Sequence, residues 1–363
     1  MKLIKYTICA IIIILLLFTI IAVFAINKQN SAPFNTQIIK NITNIRTYLP
    51  ENKDKKLDIS LIMFGDMMLD RDILAIAKKQ NNFAYHFEQI DSIIENADIA
   101  IVNLEGPITE YQSIATENGA LRFTISEKFI PEISKRFYIL SLANNHMLDF
   151  SQNGLDQTRK FLSEANVKTF GDPQNNKNNL STIITKNQIA IGLIGYHNLW
   201  KMDTEIIENE IKKIRKSVDF IIIYPHWGIE YNSTESNAQQ KEAHAFIDAG
   251  ADLIIGSHPH VVQPMEIYKN KVIFYSIGNF VFDQYWSEQT LLSLGVGLNL
   301  EKNKDKIKQI YYLHPIKINK KGQPTIANEK EEETILKTLE ENSSLSESIK
   351  YGIKNKTFLI TSQ

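Results

Sequence analysis

The stretch that decides the fold reads ADLIIGSHPHVVQP at residues 251–264 and continues at residues 275–283 as YSIGNFVFD. Within it, Leu253 to Ile255 form a continuous apolar run that is closed by Gly256. A short apolar run bounded in this way is typical of a strand that is covered on both faces. We therefore predict a short buried strand that ends at the glycine.

Two histidines, His258 and His260, follow this strand. The ring of Pro259 disfavours helix at the residue before it, so His258 is expected to be extended, and residues two apart then project to the same side. Two imidazoles presented together suit a borderline metal such as zinc, manganese or iron, whose ligands converge within about 2.0–2.2 Å of the ion. The alternative is a pair of exposed loop histidines.

The N-terminal residues have the composition of a membrane segment. Two lysines precede an uncharged and mostly apolar stretch at residues 6–27, which is long enough as a helix to cross a hydrocarbon layer of about 30 Å. We predict a single-pass anchor over residues 1–27, with a cleaved signal peptide ending at Val23-Phe24-Ala25 as the alternative. The lysines favour a cytoplasmic N-terminus, which places the rest of the chain outside the membrane. The single cysteine, Cys9, lies in this segment, so an intrachain disulfide is impossible.

Composition also divides the remainder of the chain. Residues 28–57 are rich in Asn, Lys and Gln and are interpreted as a stalk. Residues 58–325 are predicted to form the main domain. Residues 326–363 are expected to add a charged helix and, from residue 343 onward, a loosely held tail. The formal net charge of -1 by itself argues neither for nor against a nucleic-acid partner, and no such partner is predicted.

From residue 57 onward, apolar strands alternate with amphipathic helices, which predicts an α/β fold. Most of these strands end at a polar residue. Because loops beyond the carboxyl ends of strands line the ligand crevice of α/β sheets, we expect these polar residues to gather at one site. The predicted strands cover residues 59–64, 99–102, 138–143, 181–185, 189–194, 220–224 and 253–255, with further β segments near 291–300 and 308–318, and the predicted helices cover residues 70–79, 154–164, 204–217 and 239–249.

The residues at these strand ends form a candidate metal site. Two carboxylates, an amide and several imidazoles are a ligand set of mixed hardness, which suits one or two divalent ions with an exchangeable water. The two carboxylates supply negative charge and are candidates to bridge two ions. The predicted ligands are Asp66, Glu105, Asn145, His226, His258 and His260.

Three further residues are assigned roles beside the metal. His146 is predicted to be a general acid that protonates a leaving group, because an imidazole titrates near neutrality. Asp149, three residues later, is predicted to orient that ring. Arg71 is a candidate to neutralise an anionic substrate, because guanidinium pairs well with carboxylate or phosphate.

Several of these residues also have a structural alternative. Asp66 has the sequence position of a helix cap, and Glu105 that of a residue on a turn surface. Asn145, like its neighbour Asn144, is of a type that often bonds its own loop backbone. Arg71 has the alternative of a surface ion pair. The joint pattern of the strand ends favours the metal site over these separate explanations.

Six sequence blocks, in order between about residues 57 and 300, carry a family resemblance. The blocks are Gly65-Asp66; Asn103-Leu104-Glu105; Ala143-Asn144-Asn145-His146 with Asp149; His226-Trp227-Gly228 with Glu230-Tyr231; Gly250-Ala251-Asp252-Leu253-Ile254-Ile255-Gly256 with His258-Pro259-His260; and Gly278-Asn279-Phe280 with Phe282-Asp283. Together they resemble the CapA family of poly-γ-glutamate capsule biosynthesis proteins. Within the same blocks, Asn144, Glu230 and Asn279 join Arg71 as candidate substrate-binding residues.

This resemblance implies a bacterial, membrane-anchored protein. Its domain would be similar to the calcineurin-like metallophosphoesterases, with two packed β-sheets flanked by helices (α-β-β-α). It would help to make, export or tether an anionic γ-linked glutamate polymer at the cell envelope, alongside a ligase and small membrane subunits of the capsule synthase.

At two positions the chain differs from the sequence patterns that it resembles. Phosphoesterases of the parent fold begin with Asp-x-His, whereas Met68 stands two residues after Asp66, so one ligand of the first metal is missing from its expected place. Ser151 stands where the CapA pattern has glycine. Three functions stay open: a capsule accessory protein, an extracytoplasmic metal-dependent hydrolase of a phosphate ester or of an amide or ester bond, and a metal-free docking module.

Overall fold

The computed structural model describes residues 58–114, 121–199, 203–304, 306–341 and 345–361. These residues belong to one unit of the chain, Lys56–Gln363. The predicted anchor at residues 1–27 and the predicted stalk at residues 28–57 lie outside the described residues. Within the described ranges, no helix has the length and the apolar character that crossing a membrane requires.

The described residues form seventeen strands. In chain order they are β1 (Asp58–Met67), β2 (Ile99–Leu104), β3 (Ile108–Thr109), β4 (Ile125–Ser126), β5 (Ile139–Ser141), β6 (Lys168–Phe170), β7 (Ser181–Lys186), β8 (Ile189–Asn198), β9 (Phe220–Trp227), β10 (Leu253–Ile255), β11 (Met265–Tyr268), β12 (Lys271–Phe274), β13 (Asn279–Val281), β14 (Leu292–Asn303), β15 (Lys306–Ile318), β16 (Pro324–Ile326) and β17 (Thr357–Thr361).

Nine α-helices lie between these strands in the described part of the chain. They are α1 (Arg71–Gln80), α2 (Asp91–Glu95), α3 (Ile130–Arg136), α4 (Ser151–Glu164), α5 (Glu205–Ile214), α6 (Asn237–Ala249), α7 (Glu288–Leu291), α8 (Glu329–Glu340) and α9 (Glu347–Lys354). The predicted strands and the longer predicted helices are confirmed, with ends that shift by a few residues.

Most of the strands belong to two large sheets. One has nine strands in the order β16-β15-β14-β1-β2-β5-β6, with β13 beside β1 and β17 beside β15. The other has six strands in the order β11-β12-β10-β9-β8-β7. Strands β1, β2, β5 and β6 run parallel in the first sheet, and β8, β9, β10 and β12 run parallel in the second. Parallel strands end at a common edge, so each sheet gathers the loops that follow these strands.

The two sheets pack face to face through a shared apolar core. On β9, Ile222 and Tyr224 face this core, whereas Ile221 and Ile223 face α5 and α6 behind the sheet. Burial on both faces explains why this strand is a continuous apolar run. Helices α1, α3 and α4 cover the outer face of the nine-stranded sheet. The layers therefore alternate as helix, sheet, sheet and helix, which confirms the predicted α/β class.

Local capping and turn chemistry sets several boundaries. Ser236 and Gln239 form a reciprocal capping box at the start of α6, and the helix ends at Gly250, whose φ of 119° is left-handed. Asn187 and Gln188 join β7 to β8 with φ values of 48° and 63°, as a tight hairpin turn requires. This hairpin is confirmed as predicted.

The expectation of a loosely held C-terminus is wrong for residues 345–361. Strand β17 pairs antiparallel with β15, and α9 precedes it. The ring of Phe358 stacks on that of Tyr311, with 4.8 Å between the centroids. Because Ile353 and Phe358 are buried in the core between the sheets, this segment belongs to the same fold as the predicted 58–325 domain. A short strand that depends on a partner far away in the chain has a weak local signal.

Candidate metal centre

The predicted site residues lie at the carboxyl ends of strands from both sheets. Asp66 is near the end of β1, and Glu105 follows β2 directly. Asn145 begins a turn of 3-10 helix after β5. Strand β9 continues to Trp227, so His226 lies within it rather than in the loop that the sequence predicts. The structure therefore brings together residues that are far apart in the chain.

Asp66 is fully buried at the centre of this group. Its Oδ1 accepts a hydrogen bond from Asn103 Nδ2 at 2.7 Å, and its Oδ2 accepts one from the backbone N–H of His258 at 3.0 Å. The same Oδ2 lies 3.3 Å from His260 Nδ1. The helix-cap alternative is wrong for Asp66, because Asp70 is the residue whose carboxylate caps α1.

Glu105 is a buried carboxylate whose two oxygens lack a hydrogen-bond partner among the described residues. Its Oε1 lies 3.8 Å from His146 Nε2 and 3.8 Å from His260 Nε2. Burial, and next the charge of Asp66, raise the pKa of Glu105 well above its usual value. Because the side chain is buried, the turn-surface alternative does not describe Glu105. A desolvated carboxylate without partners is costly.

His226 and Asn145 face each other across the site. His226 Nε2 lies 2.8 Å from Asn145 Oδ1, and His226 Nδ1 lies 3.1 Å from Ser257 Oγ and 3.3 Å from Asn103 Nδ2. Burial and the neighbouring imidazoles, His258 first among them, hold the pKa of His226 well below its usual value. A lowered pKa favours the neutral ring, which is the form that binds a metal ion.

The backbone at His258 and His260 differs from the extended conformation that was predicted. Their φ values are 94° and 59°, both left-handed. Contacts from other segments hold this loop, because the N–H of His258 donates to Asp66 and the carbonyl of Pro259 accepts a hydrogen bond from the N–H of Tyr231 at 2.9 Å. The two rings nevertheless lie together, with 5.7 Å between their centroids.

The two imidazoles have opposite electrostatic surroundings. Burial, with the adjacent His260, lowers the pKa of His258 to about 3. Burial opposes protonation of His260 as well, but the carboxylates of Glu105 and Asp66 outweigh it and raise the pKa of His260 to about 9. His260 Nδ1 also lies 2.9 Å from the side-chain oxygen of Asn279. His258 is thus a neutral ring, whereas the ring of His260 lies against two carboxylates.

His146 and Asp149 form a dyad at the edge of the site. His146 Nδ1 lies 2.8 Å from Asp149 Oδ2, and that oxygen also accepts the backbone N–H of Phe123 at 2.7 Å. The other ring nitrogen of His146 is directed to Glu105. This is the geometry that the predicted orienting role of Asp149 requires. Ser151, at the position of the family glycine, has a φ of 57° and so keeps the left-handed turn.

Of the four candidate substrate-binding residues, Arg71 and Glu230 reach the surface. Arg71 forms a bidentate ion pair with Asp283, in which its Nε lies 3.1 Å from Asp283 Oδ2. Its guanidinium also lies 5.0 Å from the ring centroid of Phe123. Glu230 is exposed at the mouth of the site beside His258.

The other two candidates, Asn144 and Asn279, are fully buried. Asn144 Nδ2 donates to Asn103 Oδ1 at 3.1 Å and to the carbonyl of Leu104 at 2.8 Å. Asn279 pairs with Asp66 across the strands β13 and β1, and it contacts His260. The substrate-binding role stays a prediction for both residues, and Asn144 Oδ1 is a buried atom without a hydrogen-bond partner among the described residues.

Asn103 lies among the candidate ligands, although its sequence pattern predicted no role for it. It is fully buried, and its amide joins Asp66, Asn144 and His226. A side chain that hydrogen-bonds to several ligands orients them and so tunes their affinity for a metal. Its position two residues before Glu105 was the available signal, because alternate residues of a strand point to the same face.

The arrangement fits a divalent cation. Two groups of three residues each offer ligand atoms that lie within 4.8 Å of one another inside the group. The first group is Asp66, Glu105 and His226, and the second is Glu230, His258 and His260. The buried oxygens of Glu105 and the buried Nδ1 of His258 lack hydrogen-bond partners in the described structure. A cation would supply the charge and the bonds that these atoms lack.

Comparison with known proteins identifies related sequences. Residues 60–284 match the family of bacterial capsule synthesis proteins PGA_cap. The chain is 29% identical over 251 residues to a capsule biosynthesis protein CapA of Bacillus anthracis, covering 63% of this chain and 61% of that protein. It is 28% identical over 276 residues to a PGA biosynthesis protein CapA of Bacillus subtilis, covering 71% of this chain and 70% of that protein. The match thus spans less than two thirds of the B. anthracis protein.

Two solved structures show a more distant similarity. A phosphatase from Mycoplasma pneumoniae is 15% identical with a TM-score of 0.46, and the match covers 70% of this chain and 94% of that one. A 5'-nucleotidase from Candida albicans is 13% identical with a TM-score of 0.41, and the match covers 73% of this chain and 52% of that one. Similarity at this level says nothing of function.

Proposed function

The chain belongs to the family of bacterial capsule synthesis proteins PGA_cap, and from that premise we propose that it is a metal-dependent accessory protein of capsule polymer assembly at the cell envelope. The observation that carries the metal is Glu105, a buried carboxylate that has no hydrogen-bond partner among the described residues and lies beside the imidazoles of His146, His226 and His260. We assign the sandwich of two sheets to the calcineurin-like metallophosphoesterase type, on the motifs given above.

Six residues would hold one or two ions of manganese, zinc or iron: Asp66, Glu105, Asn145, His226, His258 and His260. A bound ion would supply Lewis acidity and would lower the pKa of a water molecule. The protein's own contribution is to fix the ligands. Asn103 holds Asp66 and His226, and Asn279 holds His260. These contacts leave the ligands little conformational freedom to lose when a cation binds.

The proposed substrate is an anionic polymer of γ-linked glutamate, because the B. subtilis relative is named as a PGA biosynthesis protein. We propose that residues 1–27 anchor the protein as a single-pass segment with a cytoplasmic N-terminus, so that the domain works outside the membrane. Its partners would then be a ligase and small membrane subunits of the capsule synthase.

Metal content tests the centre in the full-length chain. The wild-type protein should retain a divalent ion after dialysis, as measured by elemental mass spectrometry. The double variant His258→Ala with His260→Ala should lose it. His244→Ala is the matched control, because His244 is half-buried on α6 and bonds Glu266 instead of the site. If the wild-type chain binds no metal, this proposal fails and the metal-free docking module takes its place.

Loss of surface polymer tests the role in the cell. Deletion of the gene should abolish γ-glutamyl polymer on the cell surface, and the wild-type gene or His244→Ala should restore it. The double histidine variant should restore none, provided that immunoblotting shows equal amounts of protein. Full restoration by the double variant would contradict a metal-dependent role.

The His146–Asp149 dyad favours a second function, an extracytoplasmic metal-dependent hydrolase. An imidazole that is held by a carboxylate and lies 3.8 Å from Glu105 is in position to exchange a proton with a bound ligand. The protein loaded with manganese or zinc should then hydrolyse a phosphodiester or a γ-glutamyl peptide. His146→Gln should abolish turnover and retain the metal. Absence of turnover on both substrate classes would reject the hydrolase.

A further inference from the structure

Glu230 lies next to the two histidines that follow β10. One carboxylate oxygen of Glu230 and one ring nitrogen from each of His258 and His260 lie within 4.8 Å of one another. Ligand atoms that oppose each other across one ion are up to about 4.4 Å apart when each bond is about 2.2 Å long. The exposed Glu230 side chain can close this small difference by rotation.

The backbone holds the two segments together. Gly228 and Tyr231, on either side of Glu230, have left-handed φ values of 88° and 65°. A side chain at residue 228 would place its Cβ 2.8 Å from the amide of Gln239, so the close turn requires glycine. The N–H of Tyr231 donates to the carbonyl of Pro259, between the two histidines. These contacts keep Glu230 at the His258-Pro259-His260 loop.

A buried and unpartnered atom points to a ligand here. His258 is 5% exposed, and its Nδ1 lacks a hydrogen-bond partner in the described structure. Nearly all buried ring nitrogens have a partner, so this atom calls for one.

This group is adjacent to the one made by Asp66, Glu105 and His226. His260 lies between the two, with its Nδ1 at 3.3 Å from Asp66 Oδ2 and its Nε2 at 3.8 Å from Glu105 Oε1. The centroids of the His226 and His258 rings are 4.7 Å apart. Two divalent ions in these adjacent groups would bring four positive charges, and Glu230 adds a third carboxylate to balance them.

We propose that Glu230 is a ligand of a second divalent cation, which it binds with His258 and His260 beside the inner ion. This assignment rests on the proposed metal centre and replaces the substrate-binding role predicted for Glu230. Because Glu230 is exposed whereas Asp66 and Glu105 are buried, the second ion would lie nearer to solvent than the inner ion. The outer ion is therefore the one that exchanges faster and that an anionic ligand meets first.

The test uses the full-length chain, stripped with a chelator and titrated with Mn²⁺ alone. The wild-type protein should bind two ions and give the exchange-coupled electron paramagnetic resonance signal of a manganese pair. Glu230→Gln keeps the size of the side chain and removes its charge. It should bind the inner ion with unchanged affinity, bind the outer ion at least about 100-fold more weakly, and give the uncoupled signal of a single ion.

Glu235→Gln is the matched control. Glu235 lies in the same loop and accepts a hydrogen bond from Gln240, so its variant should retain both ions and the coupled signal. Two ions with wild-type affinities and coupling in Glu230→Gln would overturn the assignment, as would a wild-type protein that binds one ion. A wild-type protein that binds none would instead reject the metal centre itself.

Discussion

The side-chain oxygen of Asn145 lies 2.8 Å from His226 Nε2, although the two residues are 81 positions apart in the chain. Asn145 follows β5 of the nine-stranded sheet, whereas His226 lies in β9 of the six-stranded sheet. The candidate centre is therefore a junction between the two sheets. Any change that moves one sheet against the other will also move the candidate ligands.

Asn103→Ala should weaken both folding and metal binding. The variant removes the amide that Asp66 Oδ1 and His226 Nδ1 contact. Loss of a buried hydrogen-bond partner lowers the free energy of unfolding by about 1–3 kcal/mol. Loss of a residue that orients metal ligands lowers affinity by about 10–100-fold. Urea unfolding without metal and titration with Mn²⁺ measure the two effects.

The control for this variant is Gln309→Ala. Gln309 is equally buried, but it lies in β15 and accepts its hydrogen bond from the hydroxyl of Tyr311. It should lose stability and keep the affinity for Mn²⁺. Unchanged affinity in Asn103→Ala would show that Asn103 has no part in orienting the ligands.

Gly65→Ala should be among the most destabilising substitutions in the chain. A Cβ at residue 65 would lie 1.7 Å from the carbonyl oxygen of Gly278, so β1 and the segment before β13 would have to separate. We expect the free energy of unfolding to fall by about 3 kcal/mol or more, because backbone atoms cannot rotate out of the way. Urea unfolding measures the loss.

Gly297→Ala provides a milder comparison on β14. There the nearest atoms to an added Cβ are side-chain atoms of His314 and Tyr312, both at 3.1 Å. Its loss of stability should be clearly smaller. Equal losses in the two variants would mean that the close approach of Gly65 to Gly278 does not limit this position.

Glu242→Gln should stabilise the protein above neutral pH. Glu242 accepts a hydrogen bond from Asn198 at 2.6 Å, and burial raises its pKa from 4.5 to about 7. The folded state therefore holds this proton more tightly than the unfolded state. Its contribution to stability is complete below pH 4.5 and is lost as the pH rises through 7. Glutamine mimics the protonated acid at every pH.

The variant should therefore match the wild type near pH 4 and exceed it above pH 7 by on the order of 1 kcal/mol, after solvent screening is allowed for. Urea unfolding at several pH values gives the difference. Glu164→Gln, at an exposed position on α4, is the control and should show no such trend. A difference that stays constant with pH would refute the prediction.

Phe358→Ala should destabilise the fold far more than Leu359→Ala, although the residues are neighbours on β17. Phe358 stacks on Tyr311 in the core, whereas Leu359 is 43% exposed. Removing a buried phenylalanine side chain lowers the free energy of unfolding by about 3 kcal/mol, and a surface truncation changes it by about 0.5 kcal/mol. Similar values for both would place β17 outside the cooperative fold.

The sequence determined the α/β class and most of the strands, because apolar periodicity is a local property of the chain. The run that ends at Tyr224 and the run at 253–255 were identified in this way, and both are buried on two faces. Asp66, Glu105 and His226 were identified by their positions at strand ends. Parallel strands bring Asp66 and Glu105 to a common edge of one sheet, whereas the approach of His226 also needs the packing of the two sheets against each other.

The tertiary structure decided what depends on contacts between distant segments. The left-handed backbone at His258 and His260, the pairing of β17 with β15 and the central position of Asn103 depend on such contacts. So does the approach of Glu230 to the two histidines. Local preferences, such as that of a residue before proline, are worth about 1 kcal/mol or less, and buried hydrogen bonds and packing against other segments outweigh them.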